Sequence, residues 1–190
     1  MIRIGILGNI GSGKSYVANN LGYPVFDADY EVTKLYKKNK KIFLKLKKIL
    51  PKNIKSFPIE KKEITEAILQ KKSNLKKIIK IVHTEVRKKM NFFLKKNKNK
   101  KLVILDIPLL LENKINTKGD ILIFVDSKKS EILKRLKKRK NYNKKLLKKF
   151  KKIQLSLDYK KKRSDFIIKN NFKDKIVKRY VKNIVKDILK

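Results

Sequence analysis

The sequence predicts an α/β fold in which a five-stranded parallel sheet is covered by helices on both faces. Three observations carry this expectation. A short apolar strand near the N-terminus runs straight into a glycine-rich turn and then a helix. Two later apolar runs, residues 102–105 and 121–125, are continuous rather than alternating, as strands buried on both faces should be, and each is followed by an aspartate, Asp106 or Asp126. The stretches between and after them have helical spacing.

Taken in order, residues 2–7 read as the first buried strand, and a helix is expected over 14–21. Gly22, Tyr23 and Pro24 form a turn, and a second short strand at 24–26 leads into Asp27-Ala28-Asp29. One helix is expected over 30–50, where Val32, Leu35, Tyr36, Phe43, Leu46, Ile49 and Leu50 form a stripe broken near the lysine run at 37–41. Residues 51–58 connect to a helix at 59–70, and a longer helix covers 75–96 with Leu75, Ile78, Ile79, Val82, Val86, Met90 and Phe93 on one face. After the strand at 102–105 and the strand at 121–125, helices are expected at 129–139 and 143–159. A short strand at 166–168 and a helix at 173–189 complete the set. The length, 190 residues, fits one domain.

Composition excludes several functions. With no cysteine there is neither a disulfide framework nor a zinc–thiolate site, and His83, the one histidine, rules out a multi-histidine metal centre. No apolar run approaches the roughly 20 residues of a membrane helix. The N-terminus enters a strand instead of a signal peptide, so a cytoplasmic protein without membrane association is expected. The charge is +39, from 55 Lys and Arg against 16 Asp and Glu. Such a value suggests nucleic acid, yet only Arg3, Arg87, Arg135, Arg139, Arg163 and Arg179 are arginines, the residue that reads base edges bidentately. Lysine is spread along nearly the whole chain after residue 33, and isoleucine and asparagine are abundant too, which is the bias an AT-rich genome imposes. The expectation is therefore no specific nucleic-acid partner, with non-specific polyanion binding at low salt.

The chemistry begins at Gly8-Asn9-Ile10-Gly11-Ser12-Gly13-Lys14-Ser15, which matches the phosphate-binding pattern G-x-x-x-x-G-K-[ST]. Gly8 and Gly13 permit a tight turn. Successive amides from Gly11 to Ser15 converge on phosphate at a helix start. Lys14 reaches the β- and γ-phosphates, and the Ser15 hydroxyl ligates Mg²⁺. The chain is thus expected to bind a nucleoside triphosphate such as ATP and to transfer its terminal phosphate. A dinucleotide fingerprint fails on spacing, because Tyr16 stands where a small residue is required.

Asp27 and Asp29 fall at the carboxyl edge of the sheet, where alternation along an extended segment aims both the same way. One could accept a hydroxyl proton or hold Mg²⁺ through water, or Asp29 could serve only as a helix N-cap; both readings stand open here. Asp106, after its apolar strand, has the position of a Walker-B carboxylate. Leu109 and Leu110, following Pro108, form either a substrate wall or a core plug.

Together these blocks resemble the dephospho-coenzyme A kinases. The resemblance rests on the loop from Asn9 to Ser15, on Asp27-Ala28-Asp29, and on Pro108-Leu109-Leu110-Leu111-Glu112. It continues in Arg135-Leu136-Lys137-Lys138-Arg139, in Gln154, and in Ser164-Asp165-Phe166-Ile167-Ile168-Lys169-Asn170. It implies a P-loop nucleotide-kinase-like three-layer fold in a single domain, 1–190, with a helical substrate-binding insertion at about 30–98 and short lid helices at about 129–160. It implies ATP with Mg²⁺ bound by Gly11, Ser12, Gly13, Lys14, Ser15 and Tyr16, and dephospho-CoA as substrate. Asp29 would act on the ribose 3′-hydroxyl, with Lys14 and Arg139, aided by Arg135, neutralising the transferring phosphoryl group. Substrate contacts would come from Asp29, His83, Arg87, Pro108, Leu109, Leu110 and Glu112; His83 and Arg87, four residues apart, share a helix face. Three positions depart from the family pattern: Tyr16 replaces the usual threonine, Thr84 the proline after histidine, and Phe150 an arginine. The alternatives are another P-loop kinase of small molecules or nucleoside monophosphates, and a basic nucleic-acid-binding P-loop ATPase.

Overall fold

A computed structural model describes residues 1–140 and 142–190. The chain divides into two compact units. The first contains residues 1–27, 97–142 and 153–190, and the second contains 28–96 and 143–152.

The first unit is built on a five-stranded, all-parallel sheet: β1 (Ile2–Gly8), β2 (Val25–Asp27), β3 (Leu102–Asp106), β4 (Ile121–Asp126) and β5 (Phe166–Lys169), in the spatial order β2-β3-β1-β4-β5. Only apolar side chains tolerate burial on both faces, and the three central strands supply them: Ile4, Ile6, Leu102, Ile104, Leu105, Ile123 and Val125 are all 1% exposed or less. At the edge, β5 alternates, with Ile168 buried and Ile167 and Lys169 exposed. One face of the sheet packs on α1 (Lys14–Asn20) through Val17, Ala18 and Leu21, and on α9 (Asp174–Ile188) through Val177, Val181 and Ile184. Each of the valines, leucines and isoleucines among them contributes about 1.5–3 kcal/mol by leaving water. On the other face Gly5 makes room for Leu110: a Cβ on Gly5 would lie 2.5 Å from Leu110 Cδ2 and 2.9 Å from Leu122 Cδ2. The first unit also holds α6 (Lys129–Lys137) and α8 (Leu157–Lys162).

The second unit is helical: α2 (Ala28–Lys38), α3 (Lys40–Ile49), α4 (Lys61–Gln70), α5 (Lys72–Lys96) and α7 (Lys144–Lys151). The helix expected over 30–50 is two. Asn39 adopts an extended backbone, and its side chain accepts from Ile42 N at 3.0 Å, so it ends one helix by capping the next. The expected helix at 143–159 likewise splits into α7 and α8, with Asn143 and Ser156 as the two caps. Glu60 and Glu63 close a capping box on α4. The last turn of α4 carries no basic residue, and Lys149 of α7 donates instead to the carbonyls of Ile68 and Leu69. Of the apolar stripe expected on α5, Leu75, Ile78, Val82, Val86 and Met90 are buried, whereas Ile79 and Phe93 are half-buried.

Candidate active site

The strand order places the glycine loop at the carboxyl end of β1, where successive connections leave the sheet in opposite directions, β1 running to β2 and β3 to β4. That switch point is where open α/β sheets bind ligands. The loop is shaped for close backbone approach: Gly11 and Gly13 take φ of 84° and 90°, a region that side chains resist. Residue 13 caps α1 with no side-chain hydrogen bond, and no acidic residue lies in that helix's first turn, so no side chain of the cap or first turn competes with an anion there. The Lys14 ammonium folds back across the loop and donates to Asn9 O at 2.9 Å and Gly8 O at 3.4 Å.

Three elements buttress this loop. From α6, Leu136 and Ile132 abut Gly11, where a Cβ would meet Leu136 at 3.0 Å and Ile132 at 3.2 Å. From the ends of β4 and β5, Ser127 Oγ and Asn170 Nδ2 both donate to Ser12 O, at 2.9 and 2.8 Å. The Phe172 ring lies beside Gly13, and the Arg135 guanidinium stands 4.3 Å over that ring. Arg135 is therefore brought towards the loop. Arg139 stands exposed on the turn after α6, its amide donating to Leu136 O.

Asp106 ends β3 and is 4% exposed, with Asp27 directly opposite it in the β2–β3 register. Burial raises the Asp106 carboxyl above its ordinary range. A hydrogen bond from Ser15 and the charge of Lys14 pull it down, and the charge of Asp27 pushes it up again. Lys14, Ser15, Asp27 and Asp106 thus form one electrostatic group. Among the described residues no cluster of three or more His, Asp or Glu side chains could cage a metal. A hydroxyl and a nearby carboxylate beside a phosphate loop instead suit Mg²⁺, which keeps much of its water and takes few protein ligands.

Several expected residues sit elsewhere, or differently. Asp29 is neither extended nor an N-cap, because α2 already begins at Ala28. It lies exposed in that helix's first turn, and it is Asp27 that faces the sheet edge. In the second unit, His83 is half-buried and Arg87 exposed on α5, next to the buried Val82 and Val86 respectively. Tyr16 is partly exposed on α1. Pro108 and Leu109 are half-buried in the turn after β3.

Two expected substrate contacts require correction. Leu110 is fully buried against Gly5 and Leu122, so it plugs the core rather than forming a substrate wall. The Glu112 carboxylate is engaged internally: it pairs with the buried Lys160 at 2.7 Å and accepts from Leu155 N at 3.0 Å. Beside it, Gln154 Nε2 reaches Pro108 O at 3.5 Å. Sequence reasoning raised Asp27 and Asp106 beside the loop without fixing a role for either, and it gave Ser127 and Asn170 none. Asp106 carried a signal, its place after an apolar run; Asn170 carried only its place at the end of the block from Ser164, and Ser127 none, since both act on a carbonyl more than a hundred residues away.

The geometry agrees with what the chain is similar to. The family model described as dephospho-CoA kinase matches residues 2–175. A dephospho-CoA kinase of Wolbachia pipientis wMel is 37% identical over 191 residues, covering 98% of this chain and 95% of the relative. One from Fusobacterium nucleatum is 35% identical, covering 88% and 89%. Among solved structures, a Thermus thermophilus protein is 27% identical, with a TM-score of 0.78, and covers 100% and 98% of the two chains. The Acinetobacter baumannii shikimate kinase shares the fold alone, at 15% identity and a TM-score of 0.54, with 100% and 93% covered.

Proposed function

The chain belongs to the dephospho-CoA kinase family, and from that premise we propose how its own residues carry the reaction. The activity is ATP-dependent phosphorylation of the ribose 3′-hydroxyl of dephospho-CoA, giving coenzyme A, the last step of coenzyme A biosynthesis. The observation that carries its assignment to this site is the single electrostatic group of Lys14, Ser15, Asp27 and Asp106 at the mouth of the glycine loop.

The amides from Gly11 to Tyr16 hold the ATP phosphates. Lys14 exchanges its contacts with Gly8 and Asn9 for phosphate oxygens. Ser15 and Asp106 would hold Mg²⁺, which would supply positive charge to offset that of the ATP phosphates. The ribose 3′-oxygen forms a bond to the γ-phosphorus as the bond from that phosphorus to the β–γ bridging oxygen breaks, and ADP leaves with that electron pair. Asp29 orients the hydroxyl and takes its proton. Arg139 and Arg135 neutralise charge on the transferring group. His83 and Arg87 bind anionic parts of dephospho-CoA, and Pro108 and Leu109 line its apolar contact. The proposed surroundings are cytoplasmic, with neither a membrane nor a specific nucleic acid as partner; among the described residues no helix is long and apolar enough to cross a membrane.

The test is phosphate transfer from Mg-ATP to dephospho-CoA by the purified chain, with product identified as the 3′-phosphate. Turnover of a nucleoside monophosphate in place of dephospho-CoA would overturn the substrate. One observation favours a second reading, the charge of +39, which suits a nucleic-acid-stimulated ATPase. ATP hydrolysis stimulated by RNA or DNA and retained at about 0.2 M salt would support it, because binding by charge alone fades there.

A further inference from the structure

We propose that Asn170 is a positioning residue for nucleotide binding: with Ser127 it locks the Ser12–Gly13 peptide plane so that the Gly13 N–H faces the nucleotide phosphates. The inference rests on the reading of the glycine loop given above and deepens it.

A glycine-rich loop has a cost. Its peptide planes rotate easily, and a plane turned over presents a carbonyl to the phosphate where an N–H is needed. Gly13, at φ 90° and ψ 25°, has no side chain to resist this. The restraint comes from outside the loop. Ser12 O accepts from Ser127 Oγ at 2.9 Å and from Asn170 Nδ2 at 2.8 Å, which fills both of its lone pairs. In a trans peptide the N–H points opposite to the C=O. With the carbonyl drawn towards the ends of β4 and β5, the Gly13 N–H is turned away from them, into the hollow of the loop.

Asn170 is itself held rigidly enough to do this. It is 3% exposed, and its backbone N–H donates to Asp126 O at 2.7 Å, extending the β4–β5 pairing. Its Oδ1 accepts from Phe172 N at 2.8 Å. Those contacts fix the amide's orientation, since a flipped amide would set its oxygen against the Ser12 carbonyl and its NH₂ against the Phe172 amide. Gly13 and Asn170 are a matched pair: a Cβ at position 13 would run into the Asn170 amide nitrogen. The residue is also suitably uncharged. Aspartate is the same size, yet it would face the Ser12 carbonyl with no donor and add a negative charge beside the phosphates.

The experiment measures ADP affinity of the full chain by calorimetry, alongside Tm and steady-state kinetics. Asn170→Ala is expected to weaken ADP binding about tenfold and Asn170→Asp about a hundredfold, while kcat at saturating ATP and KM for dephospho-CoA stay within about threefold of the parent. Ser127→Ala, which removes the other donor to the same carbonyl and disturbs the fold less, is expected to weaken ADP binding about threefold. Asp165→Asn is the control for stability alone. Asp165 accepts from Leu122 N at 2.8 Å at the far end of β5, so this variant should lower Tm and leave ADP affinity unchanged. Parent-like ADP affinity in both Asn170→Ala and Ser127→Ala would overturn the proposal. So would an equal loss of affinity in Asp165→Asn at matched Tm. If the parent chain binds no ADP, the reading of the loop fails first; if the parent binds and the variants do likewise, only the role of Asn170 fails.

Discussion

The surroundings of Asp106 favour its neutral acid. Its pKa is raised, chiefly by burial, and that fixes a sign for stability. Below the ordinary aspartate value, about 3.9, the carboxyl is protonated in both folded and unfolded chains. As pH rises the unfolded chain ionises first, so stability falls, and the fall ends once the folded carboxyl has ionised as well. Asp106→Asn should therefore raise Tm at neutral pH in nucleotide-free, metal-free buffer, with the gain vanishing at acid pH, while turnover drops about 10²–10³-fold. An unchanged or lower Tm at pH 7 would remove the burial argument. Lys14→Ala should lower kcat at least about 10³-fold; a variant that still turns over at a tenth of the parent rate would take Lys14 out of the chemistry. Asp29→Asn should lower kcat about 10²–10⁴-fold with ATP affinity nearly unchanged. Near-normal kcat would leave Asp29 as an acid that merely favours the N-terminus of α2. At this scale the sequence was legible where a residue type and a short spacing define the chemistry, as in Gly8 to Ser15. It was not legible where the role is a hydrogen bond to a distant carbonyl, as at Ser127 and Asn170.

Elements were legible by their periodicity, and the misjudged ones share one cause. Apolar spacing continues through 30–50 and through 143–159, but Asn39 and the stretch before Ser156 leave the helical conformation, and side-chain caps restart the helix each time. Capping is a local competition that a hydrophobic pattern does not register. The turn after β3 teaches the same lesson for packing. Leu110 looks like a loop residue until Gly5, on a strand more than a hundred residues earlier, is seen to leave space for it. Glu112 from the same turn is clasped by Lys160 of α8, with side chains only 8% and 1% exposed. Breaking one partner of such a pair leaves a buried charge, so Lys160→Met should cost about 3–5 kcal/mol in urea unfolding. The double variant Glu112→Gln/Lys160→Met, which keeps an acceptor for the Leu155 amide, should recover most of that loss. A single variant within about 0.5 kcal/mol of the parent would show that the site is effectively solvated.

Across the whole molecule the +39 charge is a standing repulsion. Surface pairs such as Lys178–Asp174 are too few to offset it, since 16 acidic residues face 55 basic ones. Added salt screens repulsion over a Debye length of about 8–10 Å, so Tm should rise as NaCl goes from about 0.02 to 0.3 M, and polyanion binding should fade over the same range. A Tm that falls with salt would mean that attractive pairs dominate. The division into two units was only partly readable, because residues 143–152 join helices that end at Lys96 or earlier, across the intervening strands β3 and β4. The same long reach of the chain governs the bond from Asn170 to Ser12, which spans 158 positions. During synthesis the glycine loop emerges long before its brace, which is made 158 positions later. Pairings so distant also form late in folding. A nascent chain that ends before β5 therefore carries the complete phosphate-binding motif and cannot yet hold it in shape: competence to bind nucleotide arrives with Asn170, not with the motif.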